Sequence, residues 1–578
     1  FQAEDGIRDV ERSRGLGDVY KRQVYVVMTL GTGQRVEGVY GDYLLHSGQV
    51  FPVYLRSFHF RNTPCPEISW GMWERFWGED AVWDHLCVCS LDGCDCYKTW
   101  KDAASWALYR FVFKEMCRIG RCSSYALVSQ KFFEGEVSSV GRCSGSFPQP
   151  FTLLRDDTVR MWEAPPSRSF DLRTMSLDTY LTYQYMWSLD ERNLRRGFDK
   201  FVRWLLGDDI VRETLEELIA WQNLPEDRRW RSMYVLQMIP PEDIRRGHSV
   251  LAYRVEVVNR SYARVWVVDS NRPFQPNSSV NQGNSYIEFY RLPSGRWEYR
   301  FRLDDAGRTI LHGFIFATNT SMLHGESSAL TEGDVIDGLL DFVEATFSRM
   351  GYAAETEGEG TVLYIVSSSR GSARVLQVED PDGGELFAEN GAVLRDPSRV
   401  SKRVFPIPLP GPGYAFVSRD RGVSIRLVHE EQGEAMLVAQ EGNRSLSITY
   451  TGAREAINRF VITPSSITVG GRSIGGYTVT ARLVSRELPH EIVLRVRSTN
   501  TPFTARFTPS GTAVVRNLGN RPLVIDIAVA RYGVEERDSE SYTGIEIAPG
   551  ATAAATPRNW SSVSGGALVV EIDEGSDG

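Results

Sequence analysis

One stretch of the chain decides how its N-terminal half folds: GHSVLAYRVEVVNRSYARVWVVDSNRP, residues 247–273. It begins with Gly-His, continues through an apolar run, turns at Asn-Arg-Ser and returns through a second apolar run to Asp-Ser-Asn. Two runs rich in β-branched and aromatic residues around a short polar turn are typical of an antiparallel β-hairpin. The sequence therefore predicts a hairpin with a histidine where it begins and an acidic residue where it ends.

Pairing across this hairpin predicts which polar side chains meet. With Asn259 and Arg260 as a two-residue loop, His248 lies opposite Asn271, and Asp269 lies two residues away on the same strand face. A small change in the length of the turn makes Asp269 the direct partner instead. We therefore expect His248 to lie beside a carboxylate or an amide that orients its ring.

Cys122 is the candidate nucleophile. It lies in GRCSSYALVSQKFFEG, residues 120–135, where Gly120 ends one predicted helix and two capping-type serines, Ser123 and Ser124, begin the next. The positive end of a helix dipole lowers the pKa of a thiol, and a nearby imidazole lowers it further. This placement predicts a reactive cysteine.

The order of these residues along the chain predicts a catalytic triad. Cys122 supplies a nucleophile, His248 a base, and Asp269 or Asn271 an orienting group. Three alternatives stay open: Cys122 is buried or disulfide-bonded, His248 is merely structural, or Cys143 in GRCSGSF, which no helical pattern follows, is the reactive cysteine.

These motifs resemble the papain-like cysteine peptidase superfamily over residues 100–310. GRCSSYAL is similar to its cysteine-helix element, and GHSVLAY followed by VWVVDSNRP is similar to its histidine strand and the next strand. Bacteriocin-processing peptidases and transglutaminase-like hydrolases share the order Cys, His, Asp. The resemblance implies an α+β domain of helices followed by an antiparallel sheet. It also implies a peptidase or amidase that cleaves a polypeptide or amide substrate through a thioester and needs no cofactor.

One position departs from that family. Papain-type enzymes carry a glutamine about six residues before the cysteine as an oxyanion donor. Met116 and Cys117 occupy this region here. The backbone N–H of Cys122 or another side chain would have to serve instead.

The rest of the chain predicts further domains. Residues 24–325 are expected to form the papain-like domain, 326–450 a helix and a first β-rich domain, and 451–578 an immunoglobulin-like β-sandwich. Short alternating strands with Gly, Pro, Asn and Asp turns recur at spacings of about 8–12 residues in the C-terminal part. The predicted fold class is therefore multidomain, an α+β domain followed by all-β sandwiches. The alternative to an enzyme is an inactive papain-like surface protein whose sandwiches bind a partner or a glycan.

The first 23 residues resemble a translated sequencing adapter. QAEDGIRD (residues 2–9) and SRGLGDVYKRQ (residues 13–23) back-translate into common library primers in one reading frame. We therefore exclude residues 1–23 from the fold and expect the natural sequence, truncated at an unknown point, from Val24 onwards. A signal peptide would have been lost with the missing part.

The eight cysteines all lie between residues 65 and 143. Four of them form CVCSLDGCDC, a predicted short hairpin, and are Cys87, Cys89, Cys94 and Cys96. Residues two apart share a strand face, so all four sulfurs could meet on one side. Two cross-strand disulfides are one interpretation. A four-thiolate structural zinc site is the other, although its ligand spacing is shorter than usual.

Composition narrows the function classes. The formal net charge is −9, which disfavours nucleic acid as a partner because phosphate binding needs a basic surface. No apolar run reaches the roughly 18 residues that a membrane helix needs. Clustered cysteines and appended sandwiches favour an extracellular or cell-surface protein.

Overall fold

The protein was analysed as a computed structural model. It describes residues 24–29, 35–40, 58, 62–90, 93–134, 137–139, 158–161, 174–189, 191–205, 207–225, 228–229, 232–240, 247–272, 285–303, 309–320, 362–379, 404–407, 414–418, 422–483, 490–498, 500–532, 537–557 and 568–573. The adapter-like residues 1–23 and the rival Cys143 lie outside these residues, so both predictions about them stay predictions.

Short antiparallel ribbons accompany the N-terminal helices. Their strands are β1 (Val24–Thr29), β2 (Arg35–Tyr40), β3 (Trp83–Ser90), β4 (Gly93–Lys101), β5 (Val137–Ser139), β6 (Thr158–Met161) and β7 (Thr174–Ser176). β1 pairs with β2 and β3 with β4, while β5, β6 and β7 form a three-stranded sheet. The β3–β4 pair is the predicted cysteine-rich hairpin.

The described helices precede the large sheets in the chain. They are α1 (Trp70–Trp77), α2 (Glu79–Val82), α3 (Ala103–Ala107), α4 (Lys114–Ile119), α5 (Cys122–Glu134), α6 (Leu177–Met186), α7 (Glu191–Leu205) and α8 (Ile210–Gln222). The predicted helix that ends at Gly120 is present, but a π-helical turn at Leu108–Phe113 separates its parts α3 and α4. No helix in the described part of the chain is long and apolar enough to span a membrane.

A seven-stranded antiparallel sheet follows the helices. Its strands are β8 (Tyr234–Ile239), β9 (His248–Asn259), β10 (Tyr262–Val268), β11 (Tyr286–Arg291), β12 (Trp297–Arg302), β13 (Ile310–Leu311) and β14 (Phe314–Asn319). Their order is β13-β12-β11-β10-β9-β8-β14, so β14 returns to pair with β8. Helix α8 packs its buried residues Val211, Leu215 and Leu218 on this sheet. Helices followed by an antiparallel sheet are the α+β arrangement that the sequence predicts.

The hairpin of residues 247–273 is β9 and β10, but its turn is one residue later than predicted. Tyr262 pairs with Asn259, so Arg260 and Ser261 form the loop. The Asn259 side chain accepts the backbone N–H of Ser261 at 2.8 Å, which stabilises this turn. Two register shifts along the hairpin then restore, from Val267 onwards, the pairing that the predicted loop would have given.

The C-terminal part is a two-layer β-sandwich, as predicted at the level of architecture. Its strands are β15 (Val362–Ser368), β16 (Ala373–Glu379), β17 (Val404–Ile407), β18 (Tyr414–Ser418), β19 (Val423–His429), β20 (Gly433–Glu441), β21 (Arg444–Gly452), β22 (Ile457–Thr463), β23 (Ser466–Gly470), β24 (Ser473–Leu483), β25 (His490–Val496), β26 (Phe503–Phe507), β27 (Ala513–Asn517), β28 (Leu523–Tyr532), β29 (Arg537–Ile547), β30 (Thr552–Pro557) and β31 (Leu568–Asp573).

Successive hairpins of the sandwich alternate between its two sheets. The nine-stranded sheet has the order β17-β18-β15-β20-β21-β24-β25-β28-β29, and the eight-stranded sheet has the order β16-β19-β22-β23-β26-β27-β30-β31. Both sheets contain strands from before and after residue 450. Alternating apolar residues of each strand fill the space between them, as the strict burial pattern of β19 and β22 shows.

The helices and the sandwich share a hydrophobic core. The outer face of the nine-stranded sheet, through Leu363, Ile365, Met436 and Val438, packs against helices α1, α3 and α7. Polar contacts join the same surfaces. Asp102 caps α3, and the Gln440 side chain on β20 donates to its carboxylate at 2.7 Å.

Candidate active site

Cys122 is the first residue of α5, and its neighbours explain why the helix begins there. Gly120 ends α4 with a φ of 148°. A Cβ atom at this position would collide with the side-chain amide of Asn62, so the close approach requires glycine. The N–H of Tyr125 then donates to the carbonyl oxygen of Arg121 at 3.2 Å and starts the helix. Cys122 therefore lies in the first turn, where N–H groups have no acceptor within the helix.

Packing of α5 on β9 brings the cysteine to the sheet. Ala126 of α5 belongs to one buried cluster with Leu251 and Tyr253 of β9. Because α5 begins at Cys122 and β9 begins at His248, this contact places the nucleophile beside the predicted base.

His248 and Asp269 form a buried pair. The Nε2 atom of His248 lies 2.8 Å from Oδ1 of Asp269, and their side chains are 4% and 0% exposed. The same oxygen accepts the backbone N–H of Asn271 at 2.9 Å. The ring of Phe301 stacks on the imidazole, with the centroids 5.9 Å apart and the planes at 18°. Asp269 thus orients the imidazole ring, and Phe301 lies against its face.

Charge couples Cys122 to His248. Burial raises the pKa of the Cys122 thiol, but the charge and hydrogen bond of His248, together with hydrogen bonds from Ser249, outweigh it and lower that pKa. Burial lowers the pKa of His248, but the charges and hydrogen bonds of Asp269 and Cys122 outweigh it and raise the pKa to about 10. Because Nε2 is bonded to Asp269, Nδ1 is the ring nitrogen left for the sulfur. The lowered pKa of Cys122 and the raised pKa of His248 therefore favour the thiolate–imidazolium form of the pair over the neutral form.

Ser249 belongs to this site although the sequence did not single it out. Its backbone N–H and its hydroxyl both bond to Cys122, and its side chain is buried. Neighbouring residues of a strand point to opposite faces, so an argument from period-two spacing at His248 passes over Ser249. The sequence could have indicated Ser249 through its position directly after His248.

Tyr185 of α6 is coupled electrostatically to the cysteine. Burial and the negative charge of Cys122 raise the pKa of its phenol well above the usual value, while the charge of Arg121 opposes them. Tyr185 therefore remains a neutral hydroxyl group.

Arg121, directly before Cys122, is a fully buried cation. Its guanidinium forms an ion pair with Asp178 of α6 and donates to the Thr182 hydroxyl at 2.8 Å. It also donates to the carbonyl oxygen of Thr63 at 3.3 Å. These bonds fix the beginning of α5 to α6 and to the segment around Thr63.

The remaining predicted residues have other roles. The Asn271 side chain lies 3.4 Å from the amide nitrogen of Asn62, and only its backbone N–H supports Asp269. Met116 is buried in the helical core, and Cys117 is disulfide-bonded to Cys65. Neither offers an amide donor where papain-type enzymes have glutamine. The backbone N–H of Cys122 stays the predicted oxyanion donor.

The cysteine-rich hairpin has the predicted register. Cys87 is the pairing partner of Cys96, and Cys89 that of Cys94. Cys96 is disulfide-bonded, which favours the disulfide interpretation over a four-thiolate zinc site. The described residues contain no group of three or more His, Cys, Asp or Glu side chains that could hold a metal ion.

Comparison with known proteins adds no identification. No family model matches the chain, and no curated protein and no solved structure is significantly similar to it.

Proposed function

We propose that the protein is a cysteine hydrolase, a peptidase or amidase of papain-like type. One observation carries the proposal: a cysteine at a helix N-terminus is coupled to a histidine whose other ring nitrogen bonds a buried carboxylate at 2.8 Å. A nucleophile, a base and an orienting group in this arrangement support acyl transfer. The resemblance of residues 100–310 to papain-like peptidases points the same way.

Each of these groups has a part in the proposed reaction. The thiolate of Cys122 attacks the carbonyl carbon of a peptide or amide, and the negative charge moves to the carbonyl oxygen. The backbone N–H of Cys122 stabilises that oxyanion. His248 then gives its proton to the leaving amine, the C–N bond breaks, and a thioester on Cys122 remains.

Water completes the cycle. His248, now neutral, takes a proton from water, and the resulting hydroxide equivalent attacks the thioester carbonyl. The carboxylic acid leaves, and the sulfur departs as a thiolate beside the reprotonated imidazolium. Asp269 holds the ring in one tautomer throughout. No cofactor enters these steps.

The disulfide between Cys65 and Cys117 supports an oxidising, extracellular or cell-surface location. The net charge of −9 supports a polypeptide or small amide rather than nucleic acid as the substrate.

The test has two readouts on the same protein. Iodoacetamide labelling followed by peptide mapping should modify Cys122 at pH 6, where an ordinary thiol hardly reacts. Incubation with a denatured protein mixture should yield new peptide termini, and Cys122→Ala and His248→Ala should each abolish them. His312→Ala, which changes an exposed histidine outside the site, is the matched control and should retain cleavage. A thiol of ordinary reactivity at Cys122 would contradict the enzyme and leave an inactive surface protein as the interpretation.

A further inference from the structure

Residues 62–65 contact residues 117–121, the part of the chain that directly precedes Cys122. The Asn62 side-chain oxygen accepts the backbone N–H of Arg121 at 2.6 Å. Cys65 is bonded to Cys117 through its sulfur, and its N–H donates to the Cys117 carbonyl oxygen at 2.9 Å. The Arg121 guanidinium also donates to the Thr63 carbonyl oxygen, so four connections tie this segment to residues 117–121.

Asn62 also reaches the other side of the site. Its backbone N–H donates to the carbonyl oxygen of Ser270 at 2.9 Å, directly after Asp269. Its amide nitrogen lies 3.4 Å from the Asn271 side-chain oxygen, which is a long and weak contact. One residue therefore connects the start of the cysteine helix to the strand end that carries the orienting carboxylate.

The fit around Asn62 is too close to be incidental packing. Gly120 adopts a positive φ and leaves no room for a Cβ because the Asn62 amide occupies that place. The short bond to the Arg121 N–H fixes the residue directly before Cys122.

We propose that Asn62 is a positioning residue that holds the start of α5 against the end of β10 and so sets the distance from the Cys122 thiol to the His248 ring. The inference rests on the proposed function, because it assigns a task within the same Cys–His pair. Asn62 acts through its oxygen and its backbone, and the weak contact to Asn271 is secondary.

The charged and polar groups around the Cys122 thiol determine which measurement reports its distance from His248. His248, Ser249, Tyr185 and Arg121 are the charged and polar groups that act on Cys122 or on its neighbours. Among the described groups that lower the pKa of Cys122, His248 is the one that stabilises the thiolate by a full opposite charge as well as a hydrogen bond. A longer distance between Cys122 and His248 therefore raises the thiol pKa, and alkylation reports this without any substrate.

The experiment measures the rate of Cys122 alkylation by iodoacetamide at pH 6 and at pH 10, and takes the ratio. Asn62→Ala should lower this ratio at least tenfold, which is one pH unit in the thiol pKa. The rate at pH 10, where the thiol is ionised in either protein, should stay the same. Asn62→Asp keeps an acceptor oxygen and should restore the ratio in part, because its added charge opposes the thiolate.

Controls separate positioning from general loosening. Thr63→Val, in the same segment, removes only a long 3.4 Å contact between its hydroxyl and the Arg121 guanidinium and keeps the bond from Asn62 to the Arg121 N–H, so its ratio should equal that of the unsubstituted protein. If Asn62→Ala does not fold, Asn62→Ser, whose side chain is too short to reach the Arg121 N–H, should show the same lowered ratio. An unchanged ratio in a folded Asn62 variant overturns the positioning role alone. A ratio typical of an ordinary thiol in the unsubstituted protein overturns the proposed function as well.

Discussion

Replacing Asp269 by asparagine tests the charge that stabilises the imidazolium. The substitution keeps the size of the side chain and a hydrogen bond to Nε2 of His248 but removes the negative charge at 2.8 Å. Two opposite charges with centres about 4 Å apart attract by about 4 kcal/mol at an effective dielectric constant near 20. Because the hydrogen bond remains, part of this stabilisation is lost. We expect the pKa of His248 to fall from about 10 and the pKa of Cys122 to rise by about one to three pH units.

The assay is the rate of Cys122 alkylation between pH 4 and pH 11. In the unsubstituted protein the rate rises with pH as the thiol ionises, and the population of the thiolate–imidazolium pair declines as pH passes about 10. For Asp269→Asn the rate at pH 6 should be about 10- to 1000-fold lower. Glu288→Gln is the matched control, since Glu288 accepts the Tyr262 hydroxyl elsewhere on the same sheet. Superimposable profiles for Asp269→Asn and the unsubstituted protein would refute this account of the site.

Further predictions concern the cover of the site and the stability of the sandwich. Phe301→Ala exposes the imidazole face to water, which screens the charges of Asp269 and Cys122 that hold the pKa of His248 at about 10. The alkaline limit of hydrolysis should therefore move to lower pH, whereas Phe301→Leu should retain it, and a pH profile of cleavage measures both. Burial lowers the pKa of His429, whose Nε2 lies 2.9 Å from the Tyr450 hydroxyl, so the folded protein binds fewer protons there than the unfolded chain. The free energy of unfolding should therefore fall as pH decreases below about 6.5, as denaturant titrations at pH 5 and 7.5 would show, and equal midpoints would contradict it. Gly452→Ala places a Cβ against the His429 ring and should lower the melting temperature by several degrees, whereas Gly470→Ala, whose Cβ would lie 3.9 Å from the Arg459 carbonyl oxygen, should lower it less.

The sequence predicts the two strands of the hairpin better than the turn that joins them. Apolar alternation identifies β9 and β10, because a one-residue slip would expose their buried faces. The predicted loop begins one residue too early, because no sequence pattern indicates the hydrogen bond of the Asn259 side chain or the two register shifts. Asp269 and Asn271 could not be ranked from spacing alone. Their roles depend on where β10 ends, and that depends on neighbouring strands.

Local sequence patterns do not predict contacts between segments that are distant in the chain. Asn62 and Arg121 are separated by 59 positions, and Phe301 reaches His248 from two strands beyond the hairpin. The alternation of hairpins between the two sheets is equally hidden. Each strand of the sandwich shows the same period-two pattern whichever sheet it joins.

The core shared by the helices and the nine-stranded sheet has a consequence for proteolysis. A cut between residues 320 and 362 would sever the chain but leave Leu363, Ile365, Met436 and Val438 inserted among the helices. Separation of the fragments would expose this apolar surface to water, which is unfavourable by a free energy of about 1.5–3 kcal/mol for each large side chain. A nicked protein should therefore migrate as two bands under denaturing conditions and as a single species on a native sizing column. The half that carries the thiol would keep the sandwich as a noncovalent subunit.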